Sequence, residues 1–194
     1  GGLTVQKEIL SLLPNESTIY FGDNGRAPYG SKSRDTIIRY SLQIVRFLQQ
    51  KSVKMIVIAC NTASAFAYEK ISATAGVPVI EVITPGAETA VAASQGKRIG
   101  VIGTKGTINS GVYEKALQKA SGQPLKIISK ACPLFVPLAE EGWWSHPATD
   151  LVANEYLAEL KKSGIDTLVL GCTHYPLLQQ AISRSMGPDV RLIN

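Results

Sequence analysis

Met55-Ile56-Val57-Ile58-Ala59-Cys60-Asn61-Thr62 and Leu168-Val169-Leu170-Gly171-Cys172-Thr173-His174 share one pattern: an apolar run, a cysteine, a polar pair, then a segment able to start a helix. Apolar runs that are continuous rather than alternating suit strands buried on both faces. Working outward, Thr18 to Phe21, Val77 to Val82, Arg98 to Ile102 and Leu125 to Ile128 have the same character, bounded by Gly, Pro, Asn or Asp. Helix-period segments lie between them. Arg34 to Gln50 sets Ile37, Ile38, Ser41, Leu42, Val45 and Leu48 on one face, and Ala148 to Lys162 repeats Leu151, Val152, Tyr156, Leu157 and Leu160. Strand–helix–strand alternation predicts βαβ units and mostly parallel sheets. The duplicated cysteine pattern predicts an α/β protein of two similar domains facing each other across a central cleft. The turn chemistry at Pro85-Gly86 divides them, giving residues 1–85 and 86–194.

The composition is globular, with 45% apolar and 18% charged residues among 194. Low hydrophobicity with high net charge, the mark of a disordered chain, is absent. Three cysteines do not make a disulfide scaffold. The longest unbroken apolar run, Met55 to Cys60, falls far short of the ~20 residues that cross a bilayer. The opening Gly1-Gly2-Leu3-Thr4 does not read as a signal peptide, so no membrane partner is expected. The net charge of +5 is spread over single or paired basic residues, and no Lys/Arg block of five to eight occurs. Nucleic acid is therefore not expected as the primary partner.

In parallel sheets the chemistry sits just beyond the carboxyl ends of the strands. Two of those ends carry Cys60 and Cys172. A helix N-terminus after each would favour the thiolate and lower its pKa from ~8.5. The polar neighbours Asn61, Thr62, Thr173 and His174 suit the ammonium and carboxylates of an amino acid. Cys132, in Ala131-Cys132-Pro133-Leu134-Phe135, reads instead as a small core hydrophobe. Two reactive thiols permit either a redox disulfide or two-base proton transfer, in which a thiolate takes a proton from one face of a carbon and a thiol returns one to the other. No Cys-x-x-Cys or His-Glu-x-x-His is present, and with two histidines a metal site is not expected. No Gly-x-Ser-x-Gly elbow points to a hydrolase. Gly100 to Thr107 offers backbone N–H groups and the Thr104 and Thr107 hydroxyls to an anion. Asp23 to Gly30 is a loop after a strand end, with Tyr29 able to line a pocket. His146, beside Trp143 and Trp144, reads as part of an aromatic surface or interface patch.

Ile58-Ala-Cys60-Asn61-Thr62-Ala63, Leu170-Gly-Cys172-Thr173-His174-Tyr175-Pro176, Gly22-Asp23…Arg26-Ala-Pro28-Tyr29-Gly30 and Gly103-Thr104…Thr107 together resemble the glutamate racemases of the cofactor-independent aspartate/glutamate racemase family. The resemblance implies interconversion of L- and D-glutamate without pyridoxal phosphate, any other cofactor or metal, by a cytoplasmic homodimer supplying D-glutamate for peptidoglycan. It makes Cys60 the base toward D-glutamate and Cys172 the base toward L-glutamate, with His174 assisting Cys172. Tyr29, Gly30, Asn61, Thr62, Thr173 and His174 would hold the substrate, with Thr104 and Thr107 near its carboxylates. The family's Asp-Ser-Gly strand before Gly-Gly-Leu-Thr and its C-terminal return are not in the sequence, so the chain reads as truncated at both ends. Asn24-Gly25 stands where Thr-Ala is more usual. Aspartate racemase is the sibling reading; a non-catalytic fragment binding a small dicarboxylate or a partner is the reading from another class.

Overall fold

A computed structural model describes residues 1–194. Nine helices and six strands follow one another as α1 (Leu3–Leu12), α2 (Arg34–Gln49), β1 (Ile56–Ile58), α3 (Asn61–Thr74), β2 (Val79–Glu81), α4 (Ile83–Ala93), β3 (Arg98–Gly103), α5 (Lys105–Asn109), α6 (Val112–Ser121), β4 (Lys126–Ala131), α7 (Phe135–Glu140), α8 (Pro147–Lys162), β5 (Thr167–Gly171), α9 (Gln179–Met186) and β6 (Arg191–Ile193). Short 3-10 turns cover Asn24–Arg26 and Tyr175–Leu178. All strand pairs are parallel, in a two-stranded sheet β1-β2 and a four-stranded sheet β4-β3-β5-β6. No helix is long and apolar enough to cross a membrane.

The larger sheet is covered on both faces, which explains its unbroken apolar strands. All five residues of β5 are buried. On one face Leu168 and Leu170 pack with Phe135, Leu157, Leu160, Tyr175 and Ile182 from α7, α8, the turn after β5 and α9. On the other, Ile99, Val101 and Val169 meet Ile83, Ala87 and Ala90 of α4 and Tyr113 and Leu117 of α6. The helices start where local chemistry satisfies their free N–H groups. Ser33 caps α2 by accepting from Thr36 N. His146 caps α8 through Nδ1, which accepts from Ala148 N at 3.1 Å, and Pro147 takes the first helical position.

The smaller sheet is covered by α2 and α3, whose Ile37, Val45, Ala63, Ala67 and Ile71 bury Ile56 and Ile58. Its other face leaves Val57 and Ile80 exposed. The two sheets thus differ in size. Thr18 to Phe21, expected to be a strand, is irregular: no neighbouring strand receives its backbone hydrogen bonds, and Ile19, Tyr20 and Phe21 are exposed. α1 and β6 are elements the reading of the sequence omits. The 85/86 division falls in the first turn of α4, which packs on the larger sheet.

Candidate active site

The carboxyl ends of β1 and β5 deliver the two cysteines. Cys60 is half-buried and is the N-cap of the 14-residue α3. Burial is the largest influence on its thiol and pushes the pKa up; the backbone N–H groups of Ala63 and Thr62 and the Thr62 hydroxyl pull the other way and are outweighed. Cys172 is buried and precedes a turn and a four-residue 3-10 helix rather than an α-helix. Burial pushes its thiol up to about 12, with a charge on Cys60 adding to the rise and the His174 backbone N–H opposing it. The lowered thiol pKa expected from the helix-start positions is therefore reversed. Desolvation of the thiolate outweighs the local N–H donors at both sites.

His174 stands beside Cys172, its Nδ1 3.6 Å from Sγ. Its Nε2 pairs with Glu140 Oε1 at the end of α7. Burial is the first cause of a lowered His174 pKa, partly opposed by Glu140. The imidazole is thus biased toward the neutral form, able to take a proton at Nδ1 while Glu140 orients the other nitrogen. Thr173 lines the same corner, where a side chain on Gly1 would come within 2.7 Å of its hydroxyl and 2.9 Å of the His174 ring.

Three threonines join the elements around the two sheets. Thr62 Oγ1, in the first turn of α3, lies 2.9 Å from Thr104 Oγ1 and 3.2 Å from Thr107 Oγ1, and the last two are 3.0 Å apart. All three side chains are buried. Thr104 also caps α5, accepting from Thr107 N. Gly30 lies against this group: its carbonyl accepts from Gly106 N at 3.0 Å, and an added Cβ would sit 2.5 Å from Thr104 Cβ. Only a glycine permits that approach. Tyr29 donates its hydroxyl to Asp23, whose other oxygen holds Arg26 at 2.8 Å. Burial first, then the Asp23 contact, raises the Tyr29 pKa, and Tyr29 packs against the same core cluster as Cys60.

The residues that the sequence singles out thus converge: Tyr29, Gly30, Asn61 and Thr62 around Cys60, Thr173 and His174 around Cys172, and Thr104 and Thr107 joined to Thr62. Three partners were missed. Glu140 belongs to a segment, Ala139-Glu140-Glu141-Gly142, that looks like an ordinary helix end. Asp23 reads from the sequence as a loop residue. Tyr113 lies in the first turn of α6, and its hydroxyl meets Asn61 Oδ1 at 2.6 Å. Glu140 and Tyr113 carry no local sequence signal, since each acts on a residue distant in the chain; the Asp23 partners, Arg26 and Tyr29, lie in its own loop. Cys132 is fully buried, as its apolar context predicts. No group of three or more His, Cys, Asp or Glu side chains is placed to hold a metal ion.

The profile of the Asp/Glu/hydantoin racemase family matches residues 4–194. The chain is 52% identical to the glutamate racemase of Geobacter metallireducens, covering all of this chain and 72% of that protein. Among solved structures, it superposes on glutamate racemase isoform RacE1 from Bacillus anthracis with a TM-score of 0.95 at 43% identity, over 99% of this chain and 72% of that one. On the Francisella tularensis glutamate racemase in complex with D-glutamate the TM-score is 0.92 at 43% identity, over 100% and 71%.

Proposed function

The chain belongs to the Asp/Glu/hydantoin racemase family, and we propose that it interconverts L- and D-glutamate by passing the α-proton between the sulfurs of Cys60 and Cys172. The observation that carries this reading is the arrival of two cysteines at the carboxyl ends of two different sheets, linked by Tyr113, whose ring lies against Gly171 beside Cys172 and whose hydroxyl meets Asn61 beside Cys60. The two halves of the chain, 1–85 and 86–194, act as facing domains with the substrate cleft between them.

Starting from D-glutamate, the Cys60 thiolate takes the α-proton, so the C–H bond breaks and an S–H bond forms. The electron pair left on carbon is shared with the adjacent carboxylate. Cys172, as a thiol, then donates its proton to the opposite face and becomes the thiolate, giving L-glutamate. The reverse reaction exchanges the roles. Both thiols are held above their ordinary pKa, so each gives up its proton with difficulty and its thiolate is a strong base. At Cys172 the cost of ionisation is eased by His174, which takes the proton at Nδ1 while Glu140 compensates the imidazolium. Asn61, Thr62 and Thr173 offer hydrogen bonds to the substrate's polar groups, with Thr104 and Thr107 beside its carboxylates and Tyr29 and Gly30 forming the opposite wall.

The reading extends to a cytoplasmic homodimer whose product feeds peptidoglycan synthesis. Its test is incubation with L-glutamate in deuterated water, followed by circular dichroism and mass spectrometry. The expected result is loss of optical activity, with deuterium at Cα of the D-glutamate formed. Unchanged L-glutamate without deuterium would overturn the assignment.

A further inference from the structure

We propose that Tyr113 is a positioning residue for Asn61: its hydroxyl fixes the carboxamide with Oδ1 turned away from the substrate and the NH2 donors turned toward it. The inference rests on the substrate-binding reading of Asn61 given above.

Tyr113 occupies an unusual place. The left-handed Gly111 (φ 64°) turns the chain into α6, and Tyr113 lies in its first turn, 3% exposed. Its ring lies against Gly171, where an added Cβ would stand 2.9 Å from Tyr113 Cε2. Gly171 immediately precedes Cys172. The hydroxyl reaches the other way and meets Asn61 Oδ1 at 2.6 Å, and Asn61 immediately follows Cys60. One side chain therefore spans from the Cys172 station to the Cys60 station.

The direction of this hydrogen bond follows from bookkeeping of donors and acceptors. The phenol is buried and makes no other hydrogen bond, so its proton has only the Asn61 carbonyl oxygen to go to. Burial and the nearby Glu81 and Cys172 charges raise its pKa, which keeps that proton in place. An Asn amide offers one acceptor group and two donors. With Oδ1 taken, Nδ2 has no protein partner, and it is not sealed from solvent as an orphaned buried atom would be. Beside Cys60, free N–H donors suit the negative charge of a carboxylate on the bound substrate. Were the amide to flip, a carbonyl oxygen would face that charge instead. A polar side chain held by a second residue in its productive orientation follows the same logic as an oriented metal ligand or catalytic histidine.

Tyr113→Phe removes the hydroxyl and keeps the ring against Gly171. The expected result is a rise of about tenfold in KM for both enantiomers with kcat changed less than threefold, since one neutral hydrogen bond is lost. The thermal unfolding curve reports any structural loss separately. In an Asn61→Ala background the same substitution should leave KM unchanged, because no amide remains to be oriented. In proton–nitrogen NMR of the protein without substrate, the Asn61 side-chain NH2 pair should be single and sharp in wild type, and shifted or doubled in Tyr113→Phe. Wild-type kinetics in Tyr113→Phe, or an undiminished loss in the Asn61→Ala background, would overturn the proposal. So would an unaltered NH2 signal. That signal does not depend on turnover, so a wild-type protein that fails to racemise glutamate would defeat the functional reading while leaving the orientation of Asn61 separately decided.

Discussion

The two thiol stations are built differently. Cys60 opens a long helix, is half-buried, and finds its support in backbone N–H groups and the Thr62 hydroxyl. Cys172 is buried at a turn and is served by a titratable pair, His174 and Glu140. One site steadies a thiolate by fixed dipoles; the other has a base that can accept its proton. A reaction between mirror-image molecules does not require mirror-image catalytic groups. It requires only that the combined barrier be the same in both directions, and the equilibrium constant of unity guarantees this for kcat/KM. The asymmetry is therefore invisible in kcat/KM ratios. It shows in kcat taken separately in each direction, and in which enantiomer exchanges its proton.

The largest effects come from deleting one station at a time. Cys60→Ala and Cys172→Ala should each lower racemisation by at least the ~10²–10⁴-fold that a general base contributes, with the circular dichroism of the fold retained. In deuterated water, Cys172→Ala keeps the base on the D-side and should label only D-glutamate. Cys60→Ala should label only L-glutamate. Deuterium in the opposite enantiomers would reverse the assignment of faces, and full racemisation by either variant would end the two-base mechanism.

Smaller effects are expected from the pair unique to the Cys172 station. His174→Asn should reduce kcat/KM about 10²-fold, as for removal of a proton acceptor. Glu140→Gln should cost about tenfold, because Glu140 is 61% exposed and water screens its charge. The pH dependence sharpens this. The Glu140 carboxylate raises the His174 pKa, so its removal lowers that pKa further. Activity that needs neutral His174 is lost as pH falls through this pKa. The acid limb of kcat/KM should therefore move to lower pH in Glu140→Gln, and a shift to higher pH would mean that the protonated imidazole is the working form. On the alkaline side, thiols held above their usual pKa predict kcat/KM still rising between pH 7 and 9.

The α/β class and the parallel strands were legible because each follows from local pattern, buried apolar runs and helical period; the positions of Cys60 and Cys172 just after strands were legible in the same way. What was not legible depends on pairing across the chain. Thr18 to Phe21 has strand composition but no neighbour to pair with. Cys172 shares its sequence pattern with Cys60, yet the Tyr175-Pro176 segment closes into a 3-10 turn instead of a helix start. Burial then reverses the thiol pKa expected at both places, since a strand end in sequence does not tell how much of the protein closes over it. Tyr113 and Glu140 were hidden for the same reason: each is an ordinary residue in its own helix and gains meaning only from a side chain 52 or 34 positions away.

The third cysteine sets the lower limit of the comparison. Cys132 also follows a strand, its thiol is also pushed up to about 12 by burial, and its carbonyl accepts from Tyr175 Oη at 2.9 Å. Yet it has no exposed surface, and its sulfur meets only the Lys130 carbonyl at 3.8 Å. It packs among Phe135, Leu157 and Tyr175 in the largest core cluster. A perturbed thiol pKa is thus common to all three cysteines and cannot be what distinguishes the proposed catalytic pair; the polar side chains beside Cys60 and Cys172 do. Cys132→Ala removes one sulfur from a close-packed site and should cost about 1 kcal/mol of stability, read from denaturant unfolding. The backbone carbonyl that Tyr175 uses survives the change, so racemisation should stay within twofold of wild type. A loss like that of Cys172→Ala would show that thiol chemistry here extends into the core.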